Sequence, residues 1–107
     1  MVKKDLEGIK TENRYLLKLK ELVLASLKDE KVKIILFGSR GRQDNHSTSD
    51  VDIGLIPHGG MDKKKVVLLK EKVEDLNIPY KVEIVDFSEV SESFKREAMK
   101  GMIVWKD

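Results

Sequence analysis

Val32-Lys-Ile-Ile-Leu-Phe37, Gly38-Ser39-Arg40-Gly41-Arg42, then Ser49-Asp50-Val51-Asp52-Ile53-Gly54-Leu55-Ile56 is the stretch on which the fold turns. Its first six residues are a nearly continuous apolar run that stops at a glycine, the pattern of a buried strand. Gln43 to Ser49 is wholly polar and reads as a loop. Val51 to Ile56 is a second strand, stopped by Pro57, His58, Gly59 and Gly60.

Upstream, residues 4–29 read as an amphipathic helix. Leu6, Ile9, Leu16, Leu19, Leu22, Val23 and Leu27 recur at steps of three and four, with Lys and Glu between them. Leu17 and Leu24 lie beside that stripe and widen it, either as core contact or as a shoulder for a partner. Downstream, Asp62 is placed to cap a helix over 62–76 that turns Val66, Leu69, Val73 and Leu76 inward. Pro79 ends that connection. Lys81 to Phe87 alternates as a third strand, and Ser91 caps a third helix running to Lys100. Gly101 stops it, and Met102 to Trp105 forms a short edge strand. The expected architecture is α/β (α+β), a small mixed sheet of three to four strands with helices packed on one face.

A chain of 107 residues holds one modest core, so a single domain over 1–107 is expected. Charged residues make up 37% of it, yet the net charge is only +2, and acids intersperse the lysines. That balance gives no strong evidence for a nucleic-acid partner. The absence of cysteine excludes disulfides and thiolate metal sites, and suits a reducing cytoplasm. No apolar run approaches the roughly 18 residues of a membrane span. The charged N-terminus lacks the apolar segment of a signal peptide.

Side chains alternate faces along a strand, so Val51, Ile53 and Leu55 share one face and Asp50, Asp52 and Gly54 the other. With the apolar set against the helices, the two carboxylates face outward, about 6.5–7 Å apart along the strand. Like charges so placed favour an intervening cation, and oxygen ligands alone select Mg2+ or Mn2+ over zinc. An Asp-x-Asp at a strand start is also the pattern of a solvated turn. The Gly38-Ser39 turn adds weight to the metal reading. Glycine lets the backbone approach a ligand, Ser39 offers a hydroxyl and an N–H, and Arg40 and Arg42 are bidentate donors for phosphate. On the third strand Val82 and Ile84 share the apolar face. Glu83 therefore joins Asp50 and Asp52 if the strands are neighbours, whereas Asp86 has the wrong parity and marks the strand's end. His46 and His58 are isolated loop histidines, and Tyr80 and Trp105 read as packing. Neither a Gly-x-Ser-x-Gly elbow nor a Gly-Lys-Ser/Thr phosphate loop is present.

GSRGRQDNHSTSDVDIGL, from Gly38 through Leu55, resembles the minimal nucleotidyltransferases of the DNA polymerase beta superfamily. That pattern has Gly-Ser, ten residues, then Asp-x-Asp, with Arg after Gly-Ser, Ser before the first Asp, and a carboxylate on the third strand. Its closing F-x-x-x-x-x-x-G-x-x-x-W/Y is matched by Phe94, Gly101 and Trp105. The resemblance implies that Asp50 and Asp52 bind two divalent cations, with Glu83 as the third acid. It likewise implies that Gly38, Ser39 and Arg40 hold the phosphates of a nucleotide, to which Arg42 is a further candidate donor by its place in the turn. This chain departs from the pattern at Glu83, where many relatives have Asp, and at Gln43, where Gly usually follows Arg42.

The resemblance further implies AMP transfer from ATP to a tyrosine of a HEPN-domain ribonuclease toxin, this chain being the antitoxin. An acceptor hydroxyl attacks the α-phosphorus, pyrophosphate leaves, and Glu83 helps remove the hydroxyl proton. The small size argues that the acceptor comes from a partner protein. The alternatives are a non-catalytic module that masks its partner, a small-molecule nucleotidyltransferase, and an RNA-end-modifying enzyme.

Overall fold

The computed structural model describes the backbone of residues 2–38 and 50–107, and the side chains of 14–38 and 50–107. Its elements are α1 (Val2–Ser26), β1 (Val32–Phe37), β2 (Val51–Pro57), α2 (Lys63–Glu74), β3 (Val82–Asp86), a short 3-10 turn (Phe87–Glu89), α3 (Glu92–Ala98) and β4 (Ile103–Lys106). The four strands form one mixed sheet in the order β3-β2-β1-β4. β1 runs antiparallel to both of its neighbours, while β2 and β3 are parallel, joined by the α2 crossover.

The continuous apolar run of β1 is explained by its place between β2 and β4, with both of its faces covered. Val32, Ile34 and Leu36 turn to one side, joining Val51, Ile53 and Leu55 of β2 and Ile84 of β3. Leu19, Val23 and Leu27 of α1 and Val66, Leu69 and Val73 of α2 close over them, so the two long helices lie on one face as expected. The reverse face carries a second, smaller cluster of Ile35, Phe37, Phe87 and Ala98. Phe37, Phe87 and Phe94 meet there edge to face, with ring centroids 5.3–6.0 Å apart.

Leu24 packs against the main core from beside the α1 stripe, but Leu17 stays 53% exposed. Leu6 and Ile9 fall outside the described side chains. The helix ends at Ser26, and residues up to Glu30 continue as a turn in which the Leu27 N–H donates to the Val23 carbonyl at 3.1 Å. The expected caps are in place. Asp62 accepts from the Lys64 N–H at 3.0 Å, and Ser91 Oγ from the Phe94 N–H at 3.1 Å. Gly101, at φ 67°, turns the chain out of α3 toward β4.

Asp86 does mark the end of its strand, by capping the 3-10 turn. Its Oδ1 accepts from the Ser88 N–H (2.9 Å) and hydroxyl (2.7 Å), and its Oδ2 from Lys63 Nζ (2.8 Å). Desolvation alone would raise the Asp86 pKa, but these donors outweigh it and hold the carboxyl below its ordinary value. Lys63 begins α2 and also reaches Glu89 at 2.8 Å, fastening the crossover helix to the end of β3. Tyr80 packs on the main core and meets Tyr15 at right angles, with centroids 6.1 Å apart. Trp105 joins the same core, as expected for packing.

Gly54 has no space for a side chain, because an added Cβ would lie 2.7 Å from Phe87 Cε1 and 3.0 Å from Ile35 Cγ1. Gly54→Ala should therefore overpack the smaller cluster and cost about 1–3 kcal/mol, read as a lower urea midpoint at unchanged m-value. An unchanged midpoint would show that Phe87 moves aside freely.

Candidate active site

The site is built where the amino-terminal end of β2 lies beside β3. Strand pairing fixes its composition, since Asp52 stands opposite Glu83 and Phe37 of β1 completes the row. The Val51 N–H donates to the Lys81 carbonyl at 2.9 Å and locks that register at its start. A slip by one residue would send Asp52 into the main core and Ile53 to the outer face. The burial of Val51, Ile53, Leu55 and Ile84 makes such a slip prohibitive. Hydrophobic packing on one face thus holds two carboxylates together on the other.

Asp52 is partly buried, whereas Asp50 and Glu83 are exposed. Desolvation is the largest influence on Asp52, followed by the negative charges of Glu83 and Asp50, and all three push its pKa up. Asp50 lies just before β2 and outside its ladder, yet its charge is felt at Asp52. Oxygen donors gathered under mutual repulsion suit a hard divalent cation, and that chemistry fits the residues present. Among the described residues, no three carboxylate or histidine side chains are drawn close enough to hold a metal ion.

Gly38 connects the turn to the acids. It sits at φ 74°, a conformation that L side chains rarely adopt, and an added Cβ would lie 2.5 Å from Asp52 Oδ2. In the sequence this glycine reads as a place where the backbone can approach a ligand. The structure sets it directly against the Asp52 carboxylate, a role that no spacing rule reveals. Ser39, Arg40, Arg42, Gln43 and His46 lie outside the described residues. His58 is exposed at the end of β2, where its backbone N–H donates to the Lys31 carbonyl at 2.8 Å.

The sheet face that carries the Gly38–Asp52–Glu83 row is not uniformly open. Phe87 seals it at Gly54, so the accessible part is confined to the carboxylate end. At the sheet's margin a pocket of about 240 Å³ opens beside Glu83, lined also by Lys70, Val73, Glu74, Val82 and Ile84.

With this geometry in place, comparison with known proteins supplies the family. The family described as Polymerase beta, Nucleotidyltransferase matches residues 18–107. The chain belongs to that family. It resembles a crystal structure of a toxin–antitoxin with AMP-PNP, at 22% identity and TM-score 0.61, covering 80% of this chain and 71% of that one. A tri-AMPylated Shewanella oneidensis HEPN toxin in complex with MNT antitoxin gives 20% identity and TM-score 0.57, covering 83% and 70%. A nucleotidyltransferase, so described provisionally, from Sulfolobus solfataricus gives 22% and 0.54, covering 90% and 83%. At these identities the likeness establishes the fold. No curated protein sequence matches this chain significantly. Family and fold together support a transferase activity, and such families typically use a nucleoside triphosphate and a divalent metal. Among the described residues no helix is long and apolar enough to cross a membrane.

A raised pKa means that the folded protein binds the Asp52 proton more tightly than the unfolded chain does. Ionised Asp52 therefore costs stability at neutral pH, and acidification through its raised pKa removes that cost. Asp52→Asn should accordingly melt at a higher temperature than the parent in EDTA at pH 7–8. The gap should close as pH falls toward the ordinary carboxylate range near 4, and equal melting temperatures at pH 7–8 would contradict the repulsion. Gly38→Ala should lose roughly 1–2 kcal/mol from its left-handed backbone alone, measured by chemical denaturation.

Proposed function

We propose that this domain, taken as residues 1–107, transfers AMP from ATP to a hydroxyl of a HEPN-domain partner, a tyrosine by family resemblance, and thereby acts as its antitoxin. The observation that carries this reading is the register that sets Asp52 opposite Glu83, with Gly38 against the Asp52 carboxylate. Membership of the nucleotidyltransferase family and a fold like that of toxin–antitoxin structures, one with AMP-PNP and one with a tri-AMPylated HEPN toxin, support it.

Asp50, Asp52 and Glu83 would hold two divalent cations, Mg2+ or Mn2+, whose chemistry there is to neutralise charge on the reacting phosphates. Gly38, Ser39, Arg40 and Arg42 would bind the triphosphate, through main-chain N–H groups, a hydroxyl and two guanidinium groups. Glu83 is exposed and free of intramolecular ion pairs among the described residues, so it is available to accept the acceptor's proton. The core beneath β2 and β3 holds Asp52 and Glu83 in place before any ligand arrives, which lowers the entropic cost of assembling the site. A cytoplasmic setting suits these substrates.

A non-catalytic antitoxin that masks its partner is favoured by one observation, the absence among the described residues of a tightly gathered acid cluster. The two readings separate in one assay. The chain is incubated with its HEPN partner, α-labelled ATP and Mg2+, and the adduct is located by mass spectrometry. Labelling of a partner hydroxyl that disappears in Asp50→Asn/Asp52→Asn supports transfer. Unchanged labelling in the double variant would refute the site, and nucleotide binding without labelling would favour masking.

A further inference from the structure

The outer edge of β3 is the feature that the site as described does not use. β3 ends the sheet, and among the described residues no strand pairs with its outer side. The Val51 N–H bond to the Lys81 carbonyl fixes which way each β3 peptide points. In a parallel ladder alternate residues bond the neighbour, so Lys81, Glu83 and Val85 turn their backbone groups toward β2. Val82 and Ile84 turn theirs outward. Those residues flank Glu83, and both line the pocket beside it. A second pocket of about 320 Å³ continues the groove, lined by Val73, Glu74, Leu76, Ile78, Tyr80, Lys81 and Val82.

We infer that this edge receives the acceptor as an extended segment of the partner, paired antiparallel to β3, with the hydroxyl-bearing residue opposite Glu83. The inference rests on the transferase reading above and adds how the acceptor is presented. The residues on either side of the acceptor exchange main-chain hydrogen bonds with Val82 and Ile84. The acceptor then occupies the non-hydrogen-bonded position, where Cα atoms are about 4.5 Å apart and side chains approach closest. By the parity of the sheet its side chain rises on the face of Glu83 and Asp52. The flanking side chains drop to the opposite face, into the two pockets between β3 and α2. Val73, Val82 and Ile84 form their apolar walls and Lys70, Glu74 and Lys81 their polar margin. The specificity that follows is apolar–hydroxyl–apolar. The groove's continuity with Glu83 is what selects an acceptor segment as its occupant. In the transfer, the acceptor oxygen bonds to the α-phosphorus of ATP as the bond to the β-phosphate breaks. Pyrophosphate leaves and the hydroxyl proton passes to the Glu83 carboxylate.

The test uses the full chain and the peptide acetyl-KTVYVTK-amide. Its addition should shift the amide resonances of Val82 and Ile84 while leaving those of Ile103 to Lys106, on the opposite sheet edge, in place. N-methylation of both valines should weaken binding about tenfold or more, as expected for two lost main-chain hydrogen bonds, whereas N-methylation of the tyrosine should not. With ATP and Mg2+, the tyrosine should be labelled in the same order of peptides. Binding of this pattern without labelling would support the docking and tell against the transferase reading. Labelling without shifts at Val82 and Ile84, or equal effects of the two methylations, would overturn the docking. So would concentration-dependent shifts at those amides without peptide, which would assign the edge to a second copy of this chain.

Discussion

The parallel pairing of β2 with β3 sets two carboxylates opposite each other at the edge of a hydrophobic core, and much of the site depends on that arrangement. Left to electrostatics alone, Asp52 and Glu83 would move apart, with Asp50 adding to the repulsion. What prevents it is the reverse side of the same strands, where Val51, Ile53, Leu55 and Ile84 are buried under α1 and α2. Each fully buried aliphatic side chain contributes about 1.5–3 kcal/mol, and several of them oppose one screened carboxylate contact. The core wins, and the strain is held where a cation would relieve it.

The same logic reaches the connections. β2 and β3 are parallel only because α2 carries the chain back across the sheet, and α2 is fastened at both of its neighbours. Lys63 grips Asp86 and Glu89 at the end of β3, while Lys65 meets Glu30 at 3.0 Å near the entry to β1. At these partly exposed positions the ion pairs are worth little individually. Their placement at the start of α2 nonetheless fixes where the helix begins relative to the strands it joins. Lys106 does the corresponding work for β4, donating to the carbonyls of Glu30 and Val32 at 2.8 and 3.2 Å.

Two glycines show how local chemistry and tertiary contact divide the outer face of β2. Gly38 admits the Asp52 carboxylate, and Gly54, two residues further along the strand, admits Phe87. One end of that face is thereby left polar and accessible, and the other is closed by aromatic packing. An outer surface that alternation alone would leave wholly open becomes a short site with a hydrophobic floor.

The strand and helix order, the caps at Asp62 and Ser91, the inward residues of α2 and the shared face of Asp52 and Glu83 were all legible in the sequence. They follow from periods of two and 3.6 residues and from side chains that hydrogen-bond their own backbone. The Gly38-Ser39-Arg40 turn stands out as a motif, although Ser39, Arg40 and Arg42 lie outside the described residues. Tertiary structure alone decided that β3 is an edge neighbour of β2, that Leu17 stays exposed while Leu24 packs, and that Gly38 abuts Asp52. Periodicity reports which way a side chain points from its own strand or helix. Which strand lies alongside, and what fills the space left by a missing Cβ, depend on contacts between residues far apart in the chain.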